Sequence, residues 1–303
     1  VVLDVVHGGI LPGSALGRSL PAVKLTRLGP VGSEGPALLL EDGSYRDLAG
    51  VLDPQRPWSA DDLDRVAAVD VDHLPVLDGA GLRVGSPLPR PPAVVCIGLN
   101  YRDHAAETGA ALPTEPILFL KLPQTVVGPY DTVLVPRRST KTDYEVELGV
   151  VIGRRARYLE SAEEGLAAVA GYVVSNDVSE REFQTERGGT WDKGKNCETF
   201  NPLGPWFVTA DEVADPGALG LRTWVNGELR QDGNTRDLVF GIGELVRYLS
   251  WFTVLEPGTV VNTGTPAGVA MGQPEPKPYL RAGDVVECEI DGLGRMRQVL
   301  QQA

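Results

Sequence analysis

Thirty-six glycines and 24 prolines cut this 303-residue chain into apolar segments too short for most of them to be helices. Residues 93–99, 117–120, 132–135, 144–152, 171–175, 205–208, 221–225, 259–262, 284–290 and 294–300 are rich in β-branched side chains and bounded by Gly, Pro or polar turns. That pattern predicts strands. Helical patterning is confined to short stretches, chiefly 61–69 behind a capping Ser59, 161–168 and 243–249. So many brief strands with so few helices predict a mostly β, mixed-sheet sandwich or roll in place of a doubly wound α/β sheet.

Earlier in the chain, 23–28, 37–40 and 45–48 read as short strands with a hairpin turn at 41–44. Residues 23–90 are therefore expected to form a small N-terminal β domain that ends in a Gly- and Pro-rich linker. Residues 91–303 are expected to carry the chemistry. Residues 1–22 are expected to be an upstream extension or expression remnant outside the fold.

Charge excludes several classes of function. The net charge is −13 and there is no basic run, which argues against a nucleic-acid or anionic-membrane partner. Apolar runs are all too short for a membrane span. Cys96, Cys197 and Cys288 are odd in number and far apart, so neither a disulfide scaffold nor a thiolate zinc site is expected, and a reducing cytoplasm is. His7, His73 and His104 are too few for a histidine-rich metal centre.

The run D-Y-E-V-E-L-G-V-V-I-G at 143–153 is the most informative strand. Side chains two apart leave one face, so Glu145 and Glu147 point together, roughly 6.5 Å apart along the strand. Two carboxylates on one buried face repel, and a cation between them keeps both ionised. Asp177, at the tip of the next strand, offers a third oxygen ligand. An all-carboxylate set suits Mg²⁺ first, then Mn²⁺ or Ca²⁺.

Other candidates cluster around polar turns. His104 and Glu107 stand three apart in a short helix after residue 99, the spacing of a carboxylate-oriented general base. Arg181 and Gln184 follow Asp177 closely enough to reach a bound anion, and Arg is the natural partner of a substrate carboxylate. The polar, glycine-rich stretch 186–196 reads as a mobile loop. Its G-x-x-x-x-G-K lacks the following Ser or Thr and the preceding strand of a phosphate loop, so no nucleotide cofactor is expected and Lys195 reads as an oxyanion partner. In T-G-T-P-A-G at 263–268, backbone N–H groups and the Thr265 hydroxyl could hold a carboxylate.

Taken in order, G-L-N-Y-x-x-H-x-x-E, F-L-K-x-P, D-Y-E-x-E-L-x-V-V-I-G, N-D-V-S-x-R, G-K-x-x-x-T-F-x-P-L-G-P-W and T-G-T-P-x-G make residues 93–300 resemble the fumarylacetoacetate hydrolase family. The run from Asn176 to Lys195 is most similar to its bacterial branch of diketo-deoxy sugar acid hydrolases, ureidoglycolate lyase-like proteins and hydroxyheptadienedioate isomerases. The resemblance implies a mixed-sheet β-roll, commonly a homodimer, with Glu145, Glu147 and Asp177 holding Mg²⁺ or Mn²⁺. It further implies a His104–Glu107 dyad, a catalytic Lys195, and Arg181, Gln184, Thr265 and Lys121 as substrate contacts. The expected activity is metal-dependent hydrolysis of a C–C bond in a 2,4-dioxo acid, an acylpyruvate or diketo-deoxy sugar acid, releasing pyruvate. Decarboxylation of oxaloacetate, tautomerisation of a 2-oxo acid, and carboxylate or metal binding without turnover remain open.

Overall fold

The computed structural model describes residues 23–79 and 81–303; the expectation for 1–22 lies outside the described residues. The chain opens with β1 (Lys24–Leu28), β2 (Gly35–Leu39), β3 (Tyr45–Asp47), helix α1 (Ala60–Ala67) and β4 (Val76–Leu77). Next come β5 (Val94–Gly98), α2 (Arg102–Thr108), β6 (Ile117–Lys121), β7 (Val126–Val127), β8 (Val133–Val135), β9 (Thr142–Asp143) and β10 (Val146–Ile152). They are followed by α3 (Ala162–Ala167), β11 (Val169–Asn176), β12 (Ser179–Glu180), α4 (Asp192–Lys195) and β13 (Asn201–Thr209). The last elements are β14 (Gly220–Val225), β15 (Glu228–Asn234), α5 (Ile242–Leu249), β16 (Val260–Asn262), β17 (Val285–Ile290) and β18 (Gly294–Gln302).

These strands form a mixed β-roll, as the segment pattern predicts. An 11-stranded sheet runs β4-β3-β2-β1-β13-β11-β10-β16-β5-β6, with β7 parallel to β13. A second sheet runs β15-β14-β17-β18-β8, and β9 pairs with β12. Most neighbours are antiparallel, but β16 runs parallel to β5 and β18 parallel to β8. The strands expected as a separate unit at 23–90 extend the large sheet, because β1 pairs with β13 from Lys24↔Val208. β15 carries no apolar alternation of its own and sequence reading missed it.

The central strands of the large sheet, such as β10 and β11, are buried on both faces, which explains their near-continuous apolar sequence. Along β10, Val146, Leu148, Val150 and Ile152 join Val286, Cys288, Ile290 and Met296 of the small sheet in one core. Val151 turns the other way and packs with Val94, Cys96, Val173 and Phe207 in a second core beside α1. The period of two thus places Glu145 and Glu147 on the Val151 face, where the start of β10 meets the ends of β5 and β11.

Helix α1 shows how the outer layer is fixed. The Ser59 hydroxyl accepts from Asp62 N at 3.3 Å, and Asp62 Oδ2 accepts from Ser59 N at 2.8 Å, a reciprocal capping box. Burial alone would raise the Asp62 pKa, but hydrogen bonds from Arg56 and Ser59 hold it well below the usual carboxylate range. Its contribution to stability is therefore complete above the ordinary Asp pKa and is lost as pH falls. Asp62→Ala is expected to cost roughly 1–3 kcal/mol at neutral pH in chemical denaturation. The gap from the unsubstituted protein should shrink near pH 3; a gap that widens on acidification would contradict this assignment.

Candidate active site

Three carboxylates converge where the sequence predicts. One oxygen each of Glu145, Glu147 and Asp177 lies within 4.8 Å of the other two, and all three residues are buried. Glu145 immediately precedes β10, Glu147 lies in it, and Asp177 follows β11, so the β10–β11 register, with Val146 opposite Asn176, sets their spacing. The backbone tightens it, since Asp177 N donates to Glu145 O at 2.9 Å.

Side-chain cations balance these charges. Lys195 Nζ bridges Glu145 Oε2 at 2.6 Å and Asp177 Oδ2 at 2.7 Å. Arg181 meets Glu145 Oε1 at 2.6 Å and Asp143 Oδ2 at 2.8 Å. Lys121 donates to Asp177 Oδ1, Val178 O and Phe200 O. Burial would raise the Glu145 pKa, yet Arg181 and Lys195 bring it down to about 2. Glu147 has no such partner. Burial, with Asp177 and Glu145 nearby, pushes its carboxyl well above the ordinary range, against the nearby Lys195 ammonium and a Gly264 N–H at 2.7 Å. Lys195 is raised in spite of burial because Asp177 and Glu145 face its ammonium.

The donor set fits a hard divalent cation: three carboxylates, no thiolate, no imidazole. Glu147 is the ligand without a compensating side chain, and Lys195 now sits between the other two.

Local structure explains how the cations arrive. The stretch expected to be a mobile loop instead ends in α4, and Lys195 is 2% exposed. A Cβ on Gly194 would come within 2.4 Å of Glu180 O, so glycine there lets α4 lie on the backbone and bring Lys195 to the carboxylates. Arg181 caps a π-helical turn at Glu182–Glu186 that contains Gln184, an irregularity common at functional sites. Arg181 Nη1 donates to Gln184 Oε1 at 3.1 Å.

His104 and Glu107 meet on α2, with Nδ1 2.8 Å from Oε1. Gly268 N donates to both Glu107 oxygens, at 3.1 and 3.0 Å, and Asn100 Nδ2 anchors the entry to α2 by donating to Thr263 O at 2.8 Å. The imidazole is held in place on a cavity of about 220 Å³ that His104 lines with Glu145, Glu147, Arg181, Gln184, Lys195 and Thr265.

Two expectations are corrected. Lys121 is not on the cavity wall, unlike Lys195; it is 1% exposed and donates to Asp177 Oδ1, Val178 O and Phe200 O, so it is the internal counter-ion of Asp177. Thr265 lines the cavity, but its hydroxyl donates to Val146 O at 2.9 Å and accepts from Gln231 Nε2 at 2.8 Å. The N–H of Gly264 likewise serves Glu147, not an incoming anion. Sequence reasoning missed Asp143, which takes Arg181 together with Ala270 N at 2.8 Å and Met271 N at 3.0 Å. The signal was its place at the head of D-Y-E-x-E.

Residues 93–301 match the family described as fumarylacetoacetate (FAA) hydrolase C-terminal. The chain belongs to that family. A Burkholderia multivorans protein whose name assigns hydrolase activity only provisionally is 48% identical over 283 residues, covering 93% of this chain and 100% of the relative. The crystal structure of fumarylacetoacetate hydrolase from Exiguobacterium antarcticum aligns at a TM-score of 0.80 with 33% identity, over 93% of this chain and 100% of that one. That of 2-hydroxyhepta-2,4-diene-1,7-dioate isomerase from Mycobacterium marinum aligns at 0.75 with 28% identity, over 93% and 99%.

Two predictions follow from the charge balance. An ion on the three carboxylates needs Glu147 ionised, so Mg²⁺ affinity should rise with pH and binding should release about one proton. Calorimetry in buffers of different ionisation enthalpy measures this, and pH-independent binding without proton release would contradict it. Lys121→Met leaves Asp177 under-compensated in the core and should cost about 3–5 kcal/mol in urea unfolding. A variant of unchanged stability with weakened substrate binding would restore Lys121 as a substrate contact.

Proposed function

We propose that this protein is a Mg²⁺- or Mn²⁺-dependent hydrolase that cleaves the C–C bond of a 2,4-dioxo acid, yielding pyruvate and a second carboxylic acid. The observation that carries the reading is a cluster of three buried carboxylates, two of which, Glu145 and Glu147, share a cavity wall with the Glu107-bound His104. When bound to Glu145, Glu147 and Asp177, a divalent ion supplies a Lewis acid for the substrate's 1-carboxylate and 2-oxo oxygens.

The remaining steps belong to side chains of the chain itself. Glu107 accepts from His104 Nδ1, which leaves Nε2 as the basic nitrogen. Nε2 takes a proton from water, and the resulting hydroxide attacks the C4 carbonyl carbon. The C3–C4 bond then breaks, C4 leaves as a carboxylic acid, and its electron pair passes into the pyruvate enolate. Lys195 is placed to stabilise the negative charge that develops on the 2-oxo oxygen, and protonation at C3 completes pyruvate. Helix α2, held over the cavity through Glu107 and Asn100, keeps bulk water out while this happens.

Enolisation without attack by water, as a tautomerase or an oxaloacetate decarboxylase would carry out, is the second reading; the isomerase name of the Mycobacterium marinum relative favours it. Products separate the two. His104→Ala should lower the rate of pyruvate release from an acylpyruvate about 10²–10⁴-fold while Mg²⁺ binding persists. Undiminished turnover in that variant, or an isomer or CO₂ as the sole product of the unsubstituted enzyme, would overturn the hydrolytic reading.

A further inference from the structure

The cavity wall changes character along a line of contacts that starts at Lys195. The Lys195 ammonium lies 4.9 Å from the Phe119 ring centroid, and Phe119 meets Trp191 edge-on with centroids 5.4 Å apart. Trp191 in turn covers Gly98 so closely that a Cβ there would come within 2.4 Å of its Cζ3. Ile97, Leu99 and Met271 complete this side of the cavity. None of these residues carries a charge.

The two cations on the wall, Lys195 and Arg181, are already paired with carboxylates. Lys195 and Arg181 face Glu145, Asp177 and Asp143, and His104 faces Glu107. The three lining hydroxyls are also engaged as donors, Thr108 to His104 O at 3.0 Å, Thr185 to Arg181 O at 2.8 Å and Thr265 to Val146 O at 2.9 Å. A second carboxylate on the far end of a substrate would be stripped of water against Phe119 and Trp191 with no unpaired cation to take its charge, and a sugar chain would set its hydroxyls against rings and aliphatic groups. Trp191 and Phe119 stand between this cavity and a neighbouring hollow lined by Ile117, Leu118 and Leu120 of β6, and Trp191 is the larger of the two rings.

We infer that the substrate's tail is uncharged and apolar, an alkanoyl group rather than a sugar chain or a second carboxylate, and that Trp191 is the residue that limits its length. This rests on the reading that a 2-oxo acid head binds at the three carboxylates. Trp191 acts by shape, touching the tail and not the reacting atoms, so it sets which acids enter and not how fast the bond breaks once they are held.

The test is binding of 2-oxo acids to the Mg²⁺-loaded protein by calorimetry, which does not depend on turnover. 2-Oxohexanoate should bind at least ~10-fold more tightly than 2-oxoadipate, which differs by a terminal carboxylate. Trp191→Ala opens the cavity towards β6, so the affinity of 2-oxodecanoate relative to 2-oxohexanoate should rise at least ~10-fold, while pyruvate binds as before. Equal or tighter binding of 2-oxoadipate, an unchanged chain-length ratio in Trp191→Ala, or no binding of any of these acids would overturn the inference. If the binding order holds but hexanoylpyruvate yields no pyruvate, the inference stands and the hydrolytic reading fails.

Discussion

Burying four carboxylates within one small region is the constraint on which the rest of this structure depends. Asp143, Glu145, Glu147 and Asp177 are each nearly or fully inaccessible, and Arg181, Lys121 and Lys195 are buried with them. A lone buried charge costs several kcal/mol even after relaxation, so these groups are tolerable only as a set. Four acids against three cations leave one negative charge, and burial beside Asp177 and Glu145 raises the Glu147 pKa, the direction that favours the neutral acid. The cations come from β6, the π-helical turn and α4, so the chain completes its electrostatic balance only when the whole roll has assembled.

The same balance connects stability to function. A divalent ion held there with Glu147 ionised would make the cluster cationic, the sign that would attract an anionic substrate to a chain of net charge −13. Lys195 would have to give way to such an ion, because its ammonium holds one oxygen each of Glu145 and Asp177. Lys121, tied to two backbone carbonyls as well as to Asp177, is fixed. Two lysines of equal charge therefore have different parts: one fastens a carboxylate, the other can yield it.

Much of this was legible in the sequence, and the limits have a physical basis. Period-two alternation assigned the strands and put Glu145 and Glu147 on one face, because side-chain direction on a strand is a local property. Three-residue spacing paired His104 with Glu107 for the same reason on a helix. What local pattern does not encode is which donor meets which acceptor across 50 or more residues, as Lys195 meets Glu145 and Lys121 meets Asp177. Hence Lys121 was expected at the substrate, Thr265 was expected to have a free hydroxyl, and the polar stretch 186–196 was read as mobile. Its composition is that of a loop; two buried carboxylates draw its end inward.

The central claim, that the three carboxylates form one divalent-cation site, is tested most directly by anomalous diffraction from crystals equilibrated with Mn²⁺. A single strong peak within coordination distance of Glu145, Glu147 and Asp177, with the Lys195 ammonium displaced from between them, is the result this account predicts. A peak elsewhere, or none with Lys195 still bridging Glu145 and Asp177, would contradict it.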